Sequence, residues 1–332
     1  MTNKLCIAAM LMTFMVITLG ALTRLLDAGL GCPDWPGCYG QLIPPSSEQL
    51  AAGVIDQGKA WMEMIHRYLA SALGLTILIL AIKIEFDTKI NAKTRWLSRA
   101  LFFLVVVQGL FGMLTVVMKL LPQVVTIHLL GGMLLLALLF LLMLQLQSAK
   151  SVAISKNLRP LALTVLIFLS CQIALGGWTS SNYAGLACPD FPTCQNQWFP
   201  NLAIADSFNI FDTSDRNYEG GVLAAQSRLT IQVIHRLMAF VLFLSVLMLF
   251  IRLWQIPYLR NQAKLLLGLT LLQLSLGIAN AVLMLPLPLA LAHNTGAALL
   301  LLSVVYINYI LFPKSDGIIM EYDGRTNSYI NY

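Results

Sequence analysis

The chain has 332 residues, of which 58% are apolar and 11% are charged, and its mean hydropathy is +0.77. Because a soluble domain carries about 25% charged residues, these values exclude an ordinary water-soluble protein. The net charge of +6 would suit a nucleic-acid-binding protein, but the placement of the basic residues along the chain, described below, explains it without such a partner. The composition therefore favours an integral membrane protein.

Eight apolar runs follow one another along the chain, and each approaches the ~20 residues that an α-helix needs to span a bilayer. No stretch alternates polar and apolar residues over the ~10 residues of a barrel strand. The sequence therefore predicts an all-α membrane protein with eight transmembrane helices. The predicted spans are 5–24, 63–83, 99–118, 123–146, 159–179, 229–252, 264–284 and 288–311.

The first apolar run has some features of a secretory signal peptide, because it follows Lys4 and ends near small residues. It is longer than the apolar part of such a peptide, and it has a counterpart inside the chain at 159–179. We therefore predict a transmembrane helix that is retained.

Basic residues are concentrated on one side of the predicted membrane. If the N-terminus is inside, fourteen of the 21 Lys and Arg residues lie in inner segments, whereas ten of the 15 Asp and Glu residues lie outside. This is the positive-inside bias of membrane proteins. It predicts a multi-pass protein of the bacterial inner (cell) membrane with both termini in the cytoplasm, in contact with the lipid bilayer and not with nucleic acid.

The chain contains an internal duplication. The segment GALTRLLDAGLGCPDWPGCYGQ at 20–41 aligns without gaps with GGWTSSNYAGLACPDFPTCQNQ at 176–197, and the tripeptide IHR occurs at 65–67 and again at 234–236. Four matched features in one order indicate a repeat rather than chance. The remaining matched pairs are Gln108 and Gln273, Gly112 and Gly277, and His128 and His293.

Each copy of the repeat holds four predicted helices. Because four is even, both copies enter the membrane from the same side, so the repeat is parallel and its axis runs along the membrane normal. We predict two pseudo-symmetric four-helix bundles with equivalent outer segments at 25–62 and 180–228. The predicted divisions are an N-terminal bundle at 1–147, a cytoplasmic linker at 148–158, a C-terminal bundle at 159–314 and a cytoplasmic tail at 315–332.

Histidine is rare in this chain, and the repeat matches every copy. Ionisable residues inside a membrane are costly and mark functional sites. One histidine of this kind could be a satisfied core residue, but four repeat-matched ones favour two ligand sites. Each lies near the outer end of an even-numbered predicted helix. The pairs are His66 with His128 and His235 with His293.

Two imidazoles in a four-helix bundle fit haem iron better than they fit other metals. Zinc takes further Cys, His or carboxylate ligands and copper favours an added thiolate or thioether, but no repeated residue of these types shares the depth of the histidines. Haem iron takes two axial ligands on opposite sides of a flat ring, which facing helices supply. Glycines in QGLFG at 108–112 and LSLG at 274–277 would let the ring approach the backbone, although membrane helices also use glycine for packing.

An arginine follows the first histidine of each pair, as Arg67 and Arg236. Both lie on the predicted outer side, where arginine is disfavoured. A guanidinium group matches the geometry of carboxylates such as the haem propionates. The alternative is an arginine that extends to the membrane interface, and the sequence leaves both open.

The two copies differ at one position beside the histidines. Glu63 precedes His66 by three residues, about one helical turn, whereas Gln232 occupies that place before His235. A carboxylate can move a proton or stabilise a developing positive charge, and an amide can do neither. The alternative is an ordinary acid at a helix start, where the helix dipole favours it.

Taken together, these features resemble the haem A synthase family. The resemblance rests on GALTR…AGLGCPDWPGCYG, the ExxHR element at 63–67, the later histidines and the duplicated set of eight helices, and it covers about residues 1–312. It implies an oxidoreductase that oxidises the methyl group at C8 of haem O to a formyl group, giving haem A for terminal oxidases.

The resemblance also implies different roles for the two histidine pairs. A tightly held haem b, the cofactor, would bind to His235 and His293. The substrate haem O would bind to His66 and His128, with Glu63 as the catalytic carboxylate. A haem O synthase (protohaem farnesyltransferase) is the implied partner, and the sequence does not identify the electron donor.

The paired cysteines predict two disulfides, Cys32–Cys38 and Cys188–Cys194. They lie on the predicted outer side, where disulfides persist, and the five residues between each pair include two prolines. Their function stays open between a structural staple and a thiol–disulfide switch. Some members of the family lack these pairs, so the resemblance does not make them part of the oxidation chemistry.

Two other classes of protein share some of these features. A bis-histidine diheme cytochrome would pass electrons between quinol and an acceptor without changing either haem. Glu63, which has no carboxylate counterpart in the repeat, favours the enzyme over the cytochrome. A transporter can also be built from repeats, but it does not explain why every histidine is matched.

Overall fold

Long helices account for most of the chain, as the sequence predicts. The structure is a computed structural model that describes residues 2–46, 56–147 and 158–312, together with the backbone of 319–322 and 327–330. Among these residues, eight helices are long and apolar enough to span a membrane. They are α1 (Thr2–Leu25), α2 (Gln57–Phe86), α3 (Ala92–Val117), α4 (Pro122–Leu146), α5 (Leu158–Ser181), α7 (Ala225–Trp254), α8 (Arg260–Val282) and α9 (Leu287–Leu311).

Shorter elements complete the described chain. Helix α6 (Ile204–Ser207) lies between α5 and α7, and a 3₁₀ turn at Pro257–Leu259 precedes α8. In the predicted tail, strands β1 (Ile319–Tyr322) and β2 (Asn327–Ile330) pair antiparallel. The apolar runs do not predict this strand pair, because it lies after the last of them.

Helix α2 begins earlier than its apolar run. It starts at Gln57 because the Asp56 carboxylate caps it, accepting hydrogen bonds from the backbone N–H groups of Gly58 (3.0 Å) and Lys59 (3.2 Å). Such a cap satisfies donors that the first helical turn leaves free. Glu63 therefore lies in the second turn of α2 and is not an acid at a helix start.

The long helices form two rings of contacting neighbours. In the first ring α1 packs against α2 and α4, and α3 packs against α2 and α4; in the second, α5 packs against α7 and α9, and α8 packs against α7 and α9. The rings meet where α4 packs against α5 and α9 and where α1 packs against α9. Of the predicted linker at 148–158, only Leu158 lies within the described residues.

Apolar side chains fill one end of each ring. Buried residues such as Leu80 and Leu139 form the cluster of the first ring, and residues such as Leu249 and Val304 form that of the second. The opposite ends carry the first cysteine loop (residues 26–46) and the second cysteine loop (residues 182–224). Each histidine lies nearer the cysteine-loop end of its helix than the other end.

The same backbone turn occurs at equivalent places in the two rings. Between α3 and α4, Lys119 and Leu120 have φ angles of 48° and 63°, and between α8 and α9, Met284 and Leu285 have φ angles of 61° and 59°. A non-glycine residue in the left-handed region is uncommon. Two consecutive ones at matched positions therefore make these turns local structural counterparts.

The rings also touch through residues that are counterparts in the repeat. Arg24 donates a hydrogen bond to the backbone oxygen of Ser180, and its guanidinium carbon lies 3.8 Å from the ring centroid of Tyr183. The Tyr183 hydroxyl donates to Asp27 Oδ1 at 2.7 Å. In the aligned segments, Ser180 is the counterpart of Arg24, and Tyr183 is that of Asp27.

Candidate functional site

Each histidine lies against a glycine of the neighbouring helix. The histidines stand on α2, α4, α7 and α9, and the glycines on α1, α3, α5 and α8. At Gly20 and Gly277 an added side chain would crowd the imidazole, whereas at Gly112 and Gly176 it would make ordinary van der Waals contact with it. A Cβ atom would lie 3.0 Å from His66 Cε1 at Gly20, 3.4 Å from His128 Cε1 at Gly112, 3.4 Å from His235 Cε1 at Gly176 and 3.1 Å from His293 Cε1 at Gly277.

The histidines occur in two pairs, one inside each ring of helices. His66 and His128 stand on helices of the first ring, and His235 and His293 stand on helices of the second. The sequence predicted glycines beside the ligand at 112 and 277. It did not predict the contacts of Gly20 and Gly176, which are the first residues of the two aligned segments.

The ring nitrogens of these pairs are available to a ligand. The Nδ1 atoms of His66, His128 and His293 are buried and have no hydrogen-bond partner among the described residues. A buried polar atom without a partner costs about 1–3 kcal/mol, so a ligand that engages the imidazoles would offset a real penalty. In the part of the chain that the structure describes, no three His, Cys, Asp or Glu residues are grouped to hold a metal ion. The residues present thus fit a group held by two imidazoles, as haem is.

Glu63 is enclosed beside the first histidine pair. Its side chain lies in the interior, with the residue only 4% exposed. Oε2 accepts a hydrogen bond from the backbone N–H of Cys32 at 2.9 Å, and Oε1 pairs with the guanidinium of Arg67. Both carboxylate oxygens are therefore held by the protein, about one helical turn from His66.

Gln232, the counterpart of Glu63, has different surroundings. It is also buried, but its Oε1 has no hydrogen-bond partner among the residues that the structure describes. Arg236 follows it by four residues, as Arg67 follows Glu63, yet Arg236 Nη2 donates to the Cys188 backbone oxygen at 2.6 Å. The two sites therefore differ in charge and also in what their arginines bind.

Both arginines fasten a cysteine loop to its helix. Arg67 Nη1 donates to the backbone oxygens of Asp34 (2.9 Å) and Gly37 (2.6 Å). Arg236 Nη1 donates to the counterparts of these atoms, the backbone oxygens of Asp190 (2.9 Å) and Thr193 (2.9 Å). Sequence reasoning did not foresee this role, which depends on how the loops fold back over α2 and α7. Contact of the two arginines with haem propionates stays a prediction.

The cysteine pairs lie at disulfide distance, as predicted. The Sγ atoms are 2.03 Å apart in Cys32–Cys38 and 1.98 Å apart in Cys188–Cys194. All four cysteines are buried. Each cysteine pair therefore closes its own loop, and neither links the two halves.

The aspartate of each CPD motif closes the same loop from within. Asp34 accepts hydrogen bonds from the backbone N–H groups of Tyr39 (2.6 Å) and Gly40 (2.8 Å). Asp190 accepts from the hydroxyl of Thr193 and from the N–H groups at 195 and 196, and these bonds lower the pKa of its carboxyl to about 2. In the sequence, the only indication of this loop-closing role is that the aspartate occurs in both copies of the repeat.

A glutamine adjoins one histidine of the second pair. The Gln172 amide on α5 lies 3.2 Å from His235 Nδ1 and 3.3 Å from Nε2. The counterpart of Gln172 is Val16, whose side chain cannot make such a bond. This second difference between the histidine pairs was not predicted, because it lies outside the aligned segment at 176–197.

A bundle of membrane-length helices that carries two pairs of half-buried histidines, each against a glycine of a neighbouring helix, has an arrangement in which a haem can be held between helices. The profile of the family described as cytochrome oxidase assembly protein matches residues 3–305. The chain belongs to this family.

Three similar proteins have the same name, heme A synthase. Over 316 residues the chain is 47% identical to the heme A synthase of Shewanella oneidensis, with 92% of this chain and 95% of that protein covered. It is 27% identical over 209 residues to the heme A synthase of Shouchella clausii (60% and 66% covered). It is 29% identical over 195 residues to that of Alkalihalophilus pseudofirmus (56% and 62% covered). These matches confirm the resemblance to the haem A synthases.

Proposed function

We propose that the protein is a haem A synthase, an oxidoreductase that converts the C8 methyl group of haem O to the formyl group of haem A for terminal oxidases. Identity of 47% with a heme A synthase along almost the whole of both chains supports the reaction. The observation that carries the assignment of roles is a difference between the two repeat-matched histidine pairs, of which one adjoins a buried carboxylate and the other a buried amide.

The proposed architecture is two pseudo-symmetric four-helix bundles, 1–147 and 159–314, related by an axis along the membrane normal. Its support is the two rings of contacting helices, the matched left-handed turns and the contacts between counterparts near the cysteine loops. The positive-inside bias supports both termini in the cytoplasm of a bacterium, which would put the cysteine loops outside the inner membrane.

We assign the substrate haem to the first pair and a resident haem b to the second. His66 and His128 would hold haem O, and His235 and His293 would hold haem b. When bound, haem b would supply one-electron transfer, chemistry that protein side chains lack. A glycine adjoins each imidazole, and Gln172 contacts the ring of His235.

Glu63 is the proposed catalytic residue. Oxidation of a methyl group conjugated with the porphyrin withdraws electrons from it, so positive charge develops near the ring edge and a proton must leave. The Glu63 carboxylate can stabilise that charge or take the proton at one of its oxygens. Gln232 can do neither, which suits a site whose haem is not changed.

The chemistry also requires partners. Haem O carries a long apolar tail, so a membrane enzyme that makes it, a haem O synthase, is the expected supplier. Conversion of a methyl to a formyl group removes electrons and adds an oxygen atom, and we propose molecular oxygen as the oxidant. An electron donor then supplies the electrons that reduce the remainder of each oxygen molecule to water. Arg67 and Arg236, beside the ligands and at the cysteine-loop ends, are the predicted contacts for the propionates, and for Arg67 this role is the alternative to one exerted through Glu63.

The haem content of the purified protein tests this proposal against a diheme electron-transfer cytochrome. Haems are extracted with acid from protein produced together with a haem O synthase, and then separated by chromatography. The enzyme should yield haem O and haem A beside haem B. Haem B alone, at two per chain, would instead identify the cytochrome.

A further inference from the structure

We propose that Arg67 is a positioning residue that acts through Glu63, and that the first cysteine loop is its anchor. This inference rests on the proposed function, in which Glu63 is the catalytic carboxylate. Three groups make up what we call the Glu63 clamp: the carboxylate of Glu63, the guanidinium of Arg67 and the backbone N–H of Cys32.

The clamp restrains both oxygens of the carboxylate. The Cys32 N–H donates to Oε2 at 2.9 Å, and Arg67 Nη2 donates to Oε1. A carboxylate bonded at one oxygen can still rotate about its last torsion, but one bonded at both cannot rotate without losing a bond. Because Glu63 is almost fully buried, water is poorly placed to replace either donor. The two bonds therefore fix where the charge of Glu63 lies.

Each donor of the clamp is itself held in place. Cys32 is fully buried, and its loop is closed by the disulfide to Cys38. The preceding residue, Gly31, packs so tightly on α2 that a Cβ atom there would lie 2.5 Å from the carbonyl carbon of Lys59. Arg67 is held by the carbonyls of Asp34 and Gly37 in the same loop.

The second half contains the same parts without the clamp. Its disulfide, its aspartate and its arginine make matching loop contacts. Arg236, however, directs Nη2 to the Cys188 carbonyl, and the oxygen of Gln232 has no partner within the described residues. The contacts that both halves share are therefore enough to hold each loop on its helix. The additional bond of Arg67, from Nη2 to Glu63, restrains the carboxylate.

A double-mutant cycle tests this inference. Arg67→Lys keeps the charge, but an ammonium lacks the planar fork that reaches Glu63 and the loop carbonyls together. Haem A formed per haem B in membranes is measured for the wild type, Arg67→Lys, Glu63→Gln and the double variant. A misplacement of about 1 Å can cost roughly 100-fold in rate, so we expect Arg67→Lys to lose about 10- to 100-fold.

The double variant shows whether Arg67 acts through Glu63 or independently of it. If Arg67 acts through Glu63, adding Arg67→Lys to Glu63→Gln should change the remaining activity by less than about twofold. Losses that multiply would show that Arg67 acts independently of Glu63, as a propionate contact or a structural residue does, and would overturn the inference. The matched control is Arg236→Lys. It should change haem A formation by the same factor whether position 63 is Glu or Gln.

Amide hydrogen exchange gives a second readout that needs no turnover. In Glu63→Leu the Cys32 N–H loses its acceptor, so peptides that cover 31–41 should exchange faster than in the wild type. Gln232→Leu is the matched control, and peptides that cover 187–197 should not change. Unchanged exchange in the first loop of Glu63→Leu would also overturn the clamp. If the wild type forms no haem A, the proposed function fails; if Glu63→Gln forms haem A at the wild-type rate, the catalytic role of Glu63 fails; if Glu63→Gln is inactive while Arg67→Lys is fully active, only this inference fails.

Discussion

Replacement of Glu63 by glutamine is the most informative change at the substrate site. The two side chains have nearly the same shape, so the variant makes the first site imitate the second, where Gln232 stands. The glutamine oxygen can still accept the bond from the Cys32 N–H, but its amide nitrogen then faces the guanidinium of Arg67. The substitution therefore removes the negative charge and places two hydrogen-bond donors, the amide of the new glutamine and the guanidinium of Arg67, next to each other.

The expected loss follows from the role of the carboxylate. General acid–base help is typically worth 10²–10⁴-fold in rate, which corresponds to about 3–5 kcal/mol in the activation free energy. The ion pair lies in a buried setting, so its removal is weakly compensated by water. We expect the rate of haem A formation to fall within this range while haem B content and the folded absorption spectrum are kept.

The assay is chromatography of acid-extracted haems from membranes at matched protein levels. The Glu63→Gln variant should accumulate haem O or a singly hydroxylated intermediate in place of haem A. Haem A at close to the wild-type rate would refute the role of Glu63 and with it the interpretation of the Glu63/Gln232 difference. Loss of all haems would indicate that the substitution disrupts the bundle, and Glu63→Asp would then separate charge from fold.

Three further predictions concern the rest of the molecule. His235→Met or His293→Met should lower the b-type haem content while the polypeptide still inserts, and full haem b with an unchanged spectrum in both variants would contradict the assignment of the second site. Mass spectrometry of non-reduced peptides should find disulfides within each cysteine pair, and a crosslink between Cys32 and Cys188 would disprove this pairing. Gln172→Leu should shift the midpoint potential of the b-type haem in a redox titration, because it removes the polar group that contacts the His235 ring and the partners of an iron-bound histidine tune the metal; an unchanged potential would show that the contact with His235 does not tune the iron.

The helices and the candidate ligands were accessible from sequence because their signals are local or repeated. Each apolar run is long enough to define a membrane helix by itself, and the residues that the structure describes include eight such helices. The histidines stood out because His66 and His128 each have a counterpart at a matched position. The cysteine pairing was accessible for a similar reason, since only five residues separate the partners.

The contacts that distinguish the two sites were not accessible in this way. The bond from Cys32 to Glu63 joins residues 31 positions apart, and it exists because the first cysteine loop folds back onto α2. The start of α2 at Gln57 was missed because a polar cap, Asp56, extends the helix beyond its apolar run. Loop geometry of this kind depends on backbone conformation and packing, which residue type alone does not determine.

The central claim is tested most directly by the appearance of haem A in cells that otherwise stop at haem O. The chain is expressed in a host that makes haem O but has no enzyme to oxidise it, and the extracted haems are identified by mass. We predict that haem A appears with the wild-type chain, in amounts that depend on the level of inserted protein. Haem O that stays unchanged, while the inserted protein carries its full haem b and an electron donor is present, would contradict the account.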